Sequence, residues 1–242
     1  MKTPNFLKAI TLLAMLMVFA NFTASAANWY AYKGKEVTIN SGGTFSEYKW
    51  IIVSQPVAAG SSNAVIVGST TSELKKTFTE PGAYVLRVVV KNADGCWSDV
   101  DATKDIEIFV LPDFTVAVAP DGAIPASYCT NADATAKTKL LASSTPVTGS
   151  VALPSEVTVA LADWYKTPVS GSLASLTALT TGNPYQVTET TVGSHYFVAT
   201  GKYVIPTGRL ISAAGDAVAS APFTISVTAA PTTPTITPVV TN

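Results

Sequence analysis

His195 is the only histidine among the 242 residues, so it is the one side chain whose ordinary pKa suits proton transfer near neutral pH. A serine hydrolase would also need its nucleophile in a defined turn, yet the pattern Gly-x-Ser-x-Gly occurs nowhere in the chain. A zinc site would need further His or Cys ligands, and none lies near His195. We therefore interpret His195 as a partly exposed strand residue, and we predict no catalytic residue and no bound metal.

Four aspartates lie close together along the chain, at Asp94, Asp99, Asp101 and Asp105. Carboxylates of a short loop are ligands for Ca²⁺, but neither EF-hand nor RTX spacing is present. Charges at such a position commonly protect a strand edge from pairing, and this is the interpretation we favour. No pair of carboxylates stands out for glycoside hydrolysis either. The sequence therefore supports no enzyme class and no cofactor.

Cys96 and Cys129 are the only cysteines. If they paired in an oxidising compartment, the disulfide would close a loop of about 33 residues and add roughly 3 kcal/mol of stability. Pairing requires their Cα atoms to lie within about 7 Å, which the spacing along the chain does not fix. A disulfide and two unpaired thiols are both open, and we expect neither cysteine to be a metal ligand or a catalytic thiol.

Trp29, Tyr30 and Tyr32 form an aromatic cluster around Ala31. Flat aromatic rings stack on sugar faces in carbohydrate-binding modules, so the cluster suggests contact with a glycan. The alternative is a first β-strand with Trp29 and Ala31 facing inward. An aromatic edge strand would also invite pairing between subunits. We name Trp29, Tyr30 and Tyr32 as candidate ligand or partner contacts.

Residues 1–26 have the layout of a secretory signal peptide. Lys2 and Lys8 precede the apolar run Ala9–Ala20, and the small residues Ala-Ser-Ala end the segment. The run is too short to span a membrane, so we expect cleavage after residue 26 and no transmembrane anchor in the released chain. A secreted or cell-surface location follows, with the periplasm as the open alternative.

The chain after residue 26 is only weakly acidic, because loss of Lys2 and Lys8 takes the formal net charge from −1 to −3. Nucleic acids and anionic membranes bind clustered Lys and Arg, which the sequence lacks, so we exclude both as partners. Charged residues make up only 13% of the chain, and no stretch shows the 3.6-residue apolar period of a helix. The composition therefore favours strands.

The best-defined element is the strand pattern of Gly82–Lys91, in which every second residue from Tyr84 is apolar and belongs to one face. Asn92–Gly95 follows as a turn, and Lys104–Val110 is the predicted antiparallel partner. Trp50 is predicted to lie in the core. Further strands are predicted at Glu36–Asn40, Ser46–Ser54, Ala64–Val67 and Leu74–Phe78.

The later part of the chain carries a second set of strand patterns. They are Asp113–Ala119, Val157–Leu161 with Trp164-Tyr165 just beyond, Pro184–Thr190, Gly193–Thr200 and Pro222–Thr228. Residues 202–219 are unassigned, with room for an added hairpin. We predict an all-β fold of two tandem antiparallel β-sandwich domains, at 27–111 and 112–229, and a Thr/Pro-rich tail at 230–242.

The first domain resembles a divergent PKD-like domain of Bacteroidetes-type secreted surface proteins. The resemblance lies in Glu80-Pro81-Gly82-Ala83-Tyr84, in the Gly95-Cys96 hairpin and in Tyr48-Lys49-Trp50. The Gly-Asp-Gly stretch that follows the Trp in that family is missing here, since Ile-Ile-Val-Ser comes after Trp50.

The second domain resembles the bacterial Ig-like domains that accompany PKD domains. The resemblance lies in Tyr128-Cys129, Trp164-Tyr165-Lys166, the stretch from Thr181 to Tyr185, and the stretch from Gly193 to Val198. The second cysteine that the family carries in a late hairpin is missing, so its usual intradomain disulfide is not expected.

The two resemblances imply a non-enzymatic structural or adhesion protein of the cell surface, as a possible subunit of a surface assembly. Protein partners or self-association are then expected. The alternative is a carbohydrate-binding module that uses the aromatic residues near the start of the released chain, with glycans as its ligands. A hydrolase rests only on the presence of carboxylates and ranks last.

Overall fold

The computed structural model describes residues 29–60, 64–66, 70–122, 126–147, 151–168 and 176–234. These ranges contain sixteen β-strands, two short 3-10 helices and no α-helix, so the predicted all-β sandwich fold is confirmed. Within the same ranges, no helix is both long and apolar enough to span a membrane. The predicted signal peptide at 1–26 and the end of the predicted tail, 235–242, lie outside the described residues.

The chain forms two compact units, and the first of them takes in segments from late in the sequence. The first unit contains the described residues up to Pro112, together with 151–158 and Ile205–Ala214. The second contains the described residues of Asp113–Gly149, Val159–Val204 and 215–234. The two domains predicted from the sequence, at 27–111 and 112–229, stay a prediction.

The first unit is built from seven strands and the two late segments. The strands are β1 (Trp29–Tyr32), β2 (Glu36–Asn40), β3 (Glu47–Ser54), β4 (Ala64–Val65), β5 (Glu73–Thr77), β6 (Gly82–Lys91) and β7 (Ile106–Leu111). One sheet has the order β1-β7-β6-β3-β4, and β2 pairs with β5 in the other. The predicted hairpin is present, because β6 and β7 are antiparallel with Tyr84 opposite Ile108.

The core of the first unit lies between its two sheets. Trp50 is fully buried there, and its indole N–H donates to the carbonyl of Thr71 at 3.1 Å, as its predicted core position requires. Around it pack Ala31, Val37, Ile52, Leu74, Phe78, Tyr84, Leu86, Ile108 and Val110. The residues predicted to form the inward face of β6 therefore supply part of this core.

Strand β1 has a parallel partner on each side. It pairs in parallel with β7, from Trp29 opposite Ile108 to Tyr32 opposite Leu111. On its other side, the segment Ile205–Ala214 runs parallel, with Leu210 opposite Tyr30. This segment also reaches β2, through a bridge between Ser212 and Val37.

That pairing shows what residues 202–219, which the sequence left unassigned with room for an added hairpin, form in the structure. Residues 202–204 are the end of a long strand, Ile205–Ala214 belongs to the first unit, and only Val218–Ala219 forms a further strand. The segment finds its partners in β1 and β2, far away in sequence, rather than in a neighbouring turn of the chain.

The second unit contains nine strands in two sheets. They are β8 (Phe114–Pro120), β9 (Ser127–Cys129), β10 (Lys139–Pro146), β11 (Thr158–Thr167), β12 (Thr180–Thr181), β13 (Tyr185–Gln186), β14 (Gly193–Val204), β15 (Val218–Ala219) and β16 (Phe223–Thr228). One sheet has the order β13-β10-β8, and the other has the order β12-β11-β14-β16-β9 with β15 beside β14. Their shared core includes Leu140, Trp164, Val187, Phe197 and Ile225.

Two predictions for the second unit need correction, and one central strand was missed. The patterns at Val157–Leu161 and Trp164-Tyr165 are one continuous strand, β11. The pattern at Pro184–Thr190 contributes only the two residues of β13, which follow a cis peptide bond between Asn183 and Pro184. Strand β10 was not predicted, although it is the central strand of its sheet.

Candidate functional site

An open cleft of about 440 Å³ lies in the second unit. One wall is the end of β11 with the residue that follows it, and the other is the start of β14. The lining residues are Lys166, Thr167, Pro168, Ser194, His195 and Tyr196. The cleft therefore contains the one histidine of the chain.

Charged and polar groups surround His195 at the base of this cleft. The ammonium of Lys166 lies 2.7 Å from the Glu189 carboxylate, and Nδ1 of His195 lies 3.7 Å from the other oxygen of that carboxylate. Nε2 of His195 is 2.7 Å from the carbonyl of Thr191. Since a carbonyl only accepts, Nε2 carries the hydrogen of this bond. His195 is 8% exposed, so it is a buried strand residue and not the partly exposed one expected.

Glu189 also connects the charged groups of the cleft to the core of the second unit, through Tyr128. The hydroxyl of Tyr128 donates to the backbone carbonyl of Glu189 at 2.8 Å. Burial and the nearby charge of Glu189 raise the pKa of Tyr128. Burial is also the main cause that raises the pKa of Tyr185, whose ring stacks on Trp164 at 5.4 Å. Both phenols therefore stay neutral and act as structural hydrogen-bonding groups.

The geometry of the cleft does not pair a nucleophile with a base. Ser194 and His195 are consecutive in β14, and consecutive strand residues project to opposite faces of the sheet. The Ser194 hydroxyl therefore points away from the imidazole. Among the described residues, no group of three or more His, Cys, Asp or Glu side chains could hold a metal ion. The arrangement can bind polar groups through Lys166.

The predicted aromatic contacts near the N-terminus have very different environments. Trp29 is 38% exposed, Tyr32 is half-buried, and Tyr30 and Ala31 are fully buried. The Tyr30 ring packs near Phe109, with 6.5 Å between ring centroids, so it is not accessible to a ligand. The alternative to a ligand contact was a first strand with Trp29 and Ala31 facing inward. Ala31 does face the core, whereas Trp29 does not. Trp29 and Tyr32 stay predicted contacts.

The buried Tyr30 hydroxyl has a structural role in the first unit. It donates to the Glu156 carboxylate, and Nη1 of Arg209 donates to the same carboxylate oxygen at 2.9 Å. Burial, together with the hydrogen bond to Glu156, raises the pKa of Tyr30 to about 12. These contacts join both late segments of the first unit to β1.

The two cysteines are both free thiols. Cys96 is exposed in the turn after β6, and Cys129 is partly buried at the end of β9, where its sulfur lies 3.6 Å from the Thr228 hydroxyl. The sequence left open a disulfide or two unpaired thiols, and the structure contains the unpaired thiols.

The aspartates near β6 are engaged by neighbouring groups. Asp105 binds Arg87 through both carboxylate oxygens, at 2.6 Å each. Asp101 accepts hydrogen bonds from the hydroxyl and the backbone N–H of Thr103, which lower its pKa. Both carboxylates therefore serve to hold their own loop and strand in place.

A second surface, which sequence reasoning missed, lies beside the turn that follows β6, where the chain pairs back against the end of that strand. Trp97 is 45% exposed, and it forms a backbone bridge with Lys91. The ammonium of Lys91 lies 5.6 Å from the centroid of the Trp97 ring and 2.7 Å from the Glu47 carboxylate. The position of Trp97 just after the Gly95 turn was the one available sequence signal.

Comparison with known proteins assigns no family to the chain. No protein-family model matches it, and no curated protein matches it. Solved structures do match, at low identity. The fibronectin(III)-like modules of Clostridium thermocellum CbhA are 14% identical, with a TM-score of 0.38 over 85% of this chain and 90% of that chain.

Two further structures match over part of their own length. A bacterial ice-binding adhesin of 1.5 MDa, described for host cell surface retention, is 12% identical with a TM-score of 0.38, over 84% of this chain and 62% of that one. The Bacteroides ovatus mixed-linkage glucan utilization locus SGBP-B, in complex with a mixed-linkage heptasaccharide, is 15% identical with a TM-score of 0.21, over 85% of this chain and 45% of that one. The fold assignment therefore rests on the strands themselves.

Proposed function

We propose that the protein is a non-enzymatic structural or adhesion protein of the cell surface, whose β-sandwich units bear tension between the two ends of the chain. The observation that carries this proposal is the parallel pairing of β1 with β7. β1 is the first strand of the first unit, and β7 is the strand from which the chain leaves toward β8.

Parallel pairing of these two strands determines how they respond to tension. A pull on the N-terminal end of β1 and on the C-terminal end of β7 moves the strands in opposite directions along their length. The hydrogen bonds between them, which are evenly spaced in a parallel pair, are then loaded together rather than one after another. Such a pair resists force better than a hairpin that opens from one end.

Two further parallel contacts support the same role. On the other side of β1, the Tyr30 N–H donates to the Arg209 carbonyl at 2.8 Å, and the Ile211 N–H donates to the Tyr30 carbonyl at 2.9 Å. In the second unit, β9 pairs in parallel with β16, the last strand before the predicted tail. In the predicted tail, Ala230 is half-buried and residues 231–234 are exposed. The tail would then extend from a strand that is held in place.

The location and the partners in this proposal come from the sequence. The predicted signal peptide supports export, and the resemblance to secreted surface proteins supports a place at the cell surface. The predicted tail at 230–242 is the segment through which we propose contact with a protein partner or another copy.

Single-molecule force measurements test the tension-bearing role. Residues 27–242 are held by one handle at residue 27 and one at Asp113→Cys, just after β7. We call this the end-to-end geometry of the first unit, and the force at which that unit opens is recorded. The control pulls the hairpin open from one end, with handles at Ala93→Cys and Lys104→Cys, beside the adjoining ends of β6 and β7. In both geometries the native cysteines are replaced by Cys96→Ser and Cys129→Ser. We expect several-fold higher opening force in the end-to-end geometry. Equal forces would rule out a mechanical clamp.

The exposed thiol of Cys96 tests the location. Intact cells are treated with a thiol reagent that does not cross membranes, and labelled Cys96 is identified by mass spectrometry, with a Cys96→Ser strain as control. A cell-surface protein is labelled in intact cells. Labelling that requires lysis would contradict the surface location.

A further inference from the structure

We infer that Glu47, Lys91 and Trp97 together form a binding surface for a neutral, β-linked glycan. This goes beyond the proposed function, because a tension-bearing unit needs no sugar ligand. We call the three side chains the β6 row, after the strand at their centre.

The β6 row crosses three neighbouring stretches of extended chain. Glu47 of β3 lies directly opposite Lys91 of β6, and Lys91 lies directly opposite Trp97 in the returning hairpin. Directly opposite residues project to the same face of a sheet. The contacts of the Lys91 ammonium, with the Glu47 carboxylate on one side and the Trp97 ring on the other, show that the three side chains share this face. Two strand spacings give the row a length of about 10 Å.

Trp97 differs from the two core tryptophans with described surroundings. Trp50 and Trp164 are fully buried, and their indole N–H groups donate to the carbonyls of Thr71 and Gly182. Trp97 is 45% exposed, just after the turn of a hairpin. Its exposed ring area is available for contact with a ligand.

The hairpin that carries Trp97 is held firmly by hydrogen bonds. The Asn92 N–H donates to the Cys96 carbonyl at 3.0 Å, the Cys96 N–H donates to the Asn92 side-chain oxygen at 2.9 Å, and the Ser98 N–H donates to the Val90 carbonyl at 2.8 Å. The backbone that carries the indole is therefore fixed before a ligand arrives. A fixed backbone loses little entropy on binding, which raises affinity.

The chemistry of the row identifies the ligand class. An indole ring stacks on the apolar C–H face of a sugar, and β-linked sugars with equatorial hydroxyls present such flat faces along the chain. The Glu47 carboxylate accepts hydrogen bonds from hydroxyls, and the Lys91 ammonium donates to them. Because these two charges neutralise each other, the row does not favour an acidic or a basic polymer. The ligand is therefore neutral.

Titration calorimetry with a panel of neutral oligosaccharides tests the inference. Residues 27–242 are titrated with β-linked gluco-, xylo-, galacto- and N-acetylglucosamine hexamers, and with polygalacturonate as the acidic comparison. We expect saturable binding of at least one neutral hexamer. Trp97→Ala should weaken that binding at least tenfold, and the double variant Glu47→Gln with Lys91→Met should weaken it severalfold. Trp97→Phe should retain part of it.

Val57→Ala is the control, because Val57 is an exposed apolar residue of the same unit that belongs to no candidate site. Its binding should equal that of the unchanged protein. Trp29→Ala separates the β6 row from the ligand contact predicted at Trp29. Three results would overturn the inference: no neutral hexamer binds, polygalacturonate binds as tightly as the best of them, or Trp29→Ala abolishes binding while Trp97→Ala does not. The opening force in the end-to-end geometry does not depend on any of these results, so the two proposals can fail separately.

Discussion

The Tyr30 hydroxyl donates to the carboxylate of Glu156, which lies 126 residues further along the chain. Arg209 donates to the same carboxylate oxygen from a third stretch of sequence. All three residues belong to the first unit. Its structure near β1 is therefore maintained by contacts between residues that no local pattern connects.

Replacing the Tyr30 hydroxyl should destabilise the first unit. We expect Tyr30→Phe and Glu156→Ala each to lower the free energy of unfolding by about 1–2 kcal/mol, since each removes one partner of a partly buried hydrogen bond. The double variant should lose less than the sum, because both changes disrupt the same contact. Urea denaturation measures this, with Tyr196→Phe in the second unit as a control of small effect. Strictly additive losses would show that the two groups do not interact.

Stability should fall in alkaline solution between about pH 10 and pH 12. Burial raises the pKa of Tyr30 and of Tyr84 to about 12 in the folded chain, with the charge of Glu80 adding to the effect at Tyr84. A tyrosine in the unfolded chain titrates near pH 10. Above that pH the unfolded state loses protons that the folded state keeps, so the contribution is complete below pH 10 and is lost as pH rises to 12.

Each of these tyrosines contributes up to about 3 kcal/mol of this pH dependence. Free energies of unfolding measured from pH 8 to pH 12 should show the decline, and Tyr84→Phe should make it less steep. A Tyr84→Phe variant with the same slope as the unchanged protein would contradict a raised pKa at this residue.

Gly201→Ala should destabilise the second unit through crowding alone. A methyl group there would lie 3.0 Å from side-chain carbons of Leu161 and Val116 and 3.1 Å from Phe114. We expect a cost of about 1–3 kcal/mol, part of which Leu161→Val should restore by making room. Gly34→Ala is the comparison, since Gly34 has a φ of 72° and nothing within 4 Å, so its cost is purely conformational. Leu161→Val should not restore Gly34→Ala. If it restored neither variant, crowding would be the wrong explanation.

The two thiols should differ in reactivity. We expect both cysteines to react with a thiol reagent when the chain is unfolded without reductant, because both are free thiols. In the folded chain, Cys96 should react first because it is exposed, and Cys129 should react more slowly because it is partly buried. Timed alkylation with peptide mapping measures the order. Recovery of no thiol from protein purified without reductant would instead support the disulfide.

Local patterns predicted the elements whose partners are close in sequence. The alternation in Gly82–Lys91 and the turn at Asn92–Gly95 were sufficient for β6, and β2 has the predicted bounds. The central strand β10 was missed because Ser and Thr occupy much of its second half, so its apolar period is weak. In that strand, burial of Leu140 and Ala142 comes from pairing with β8, which the sequence of β10 alone does not reveal.

The candidate cleft shows the same limit. His195 could be singled out from the sequence, but its neighbour Glu189, and Lys166 that pairs with Glu189, come from other parts of the second unit. Trp97 could not be singled out from the sequence, because a single tryptophan beside a turn belongs to no periodic pattern. Its relation to Glu47 depends on the register of β3 against β6. Partners fixed by register become visible only with the structure.

The contact between β1 and Ile205–Ala214 determines the order in which the chain can complete its structure. The backbone N–H of Tyr32 bonds to the hydroxyl of Ser212, 180 residues later. Chains are synthesised from the N-terminus at about 5–20 residues per second, so the partner of β1 emerges roughly 10–40 s after it. During that interval one edge of β1 is open to chaperones, proteases and other copies. Delayed arrival of Ile205–Ala214, during synthesis or export, should therefore lower the yield of correctly folded protein without altering its final stability.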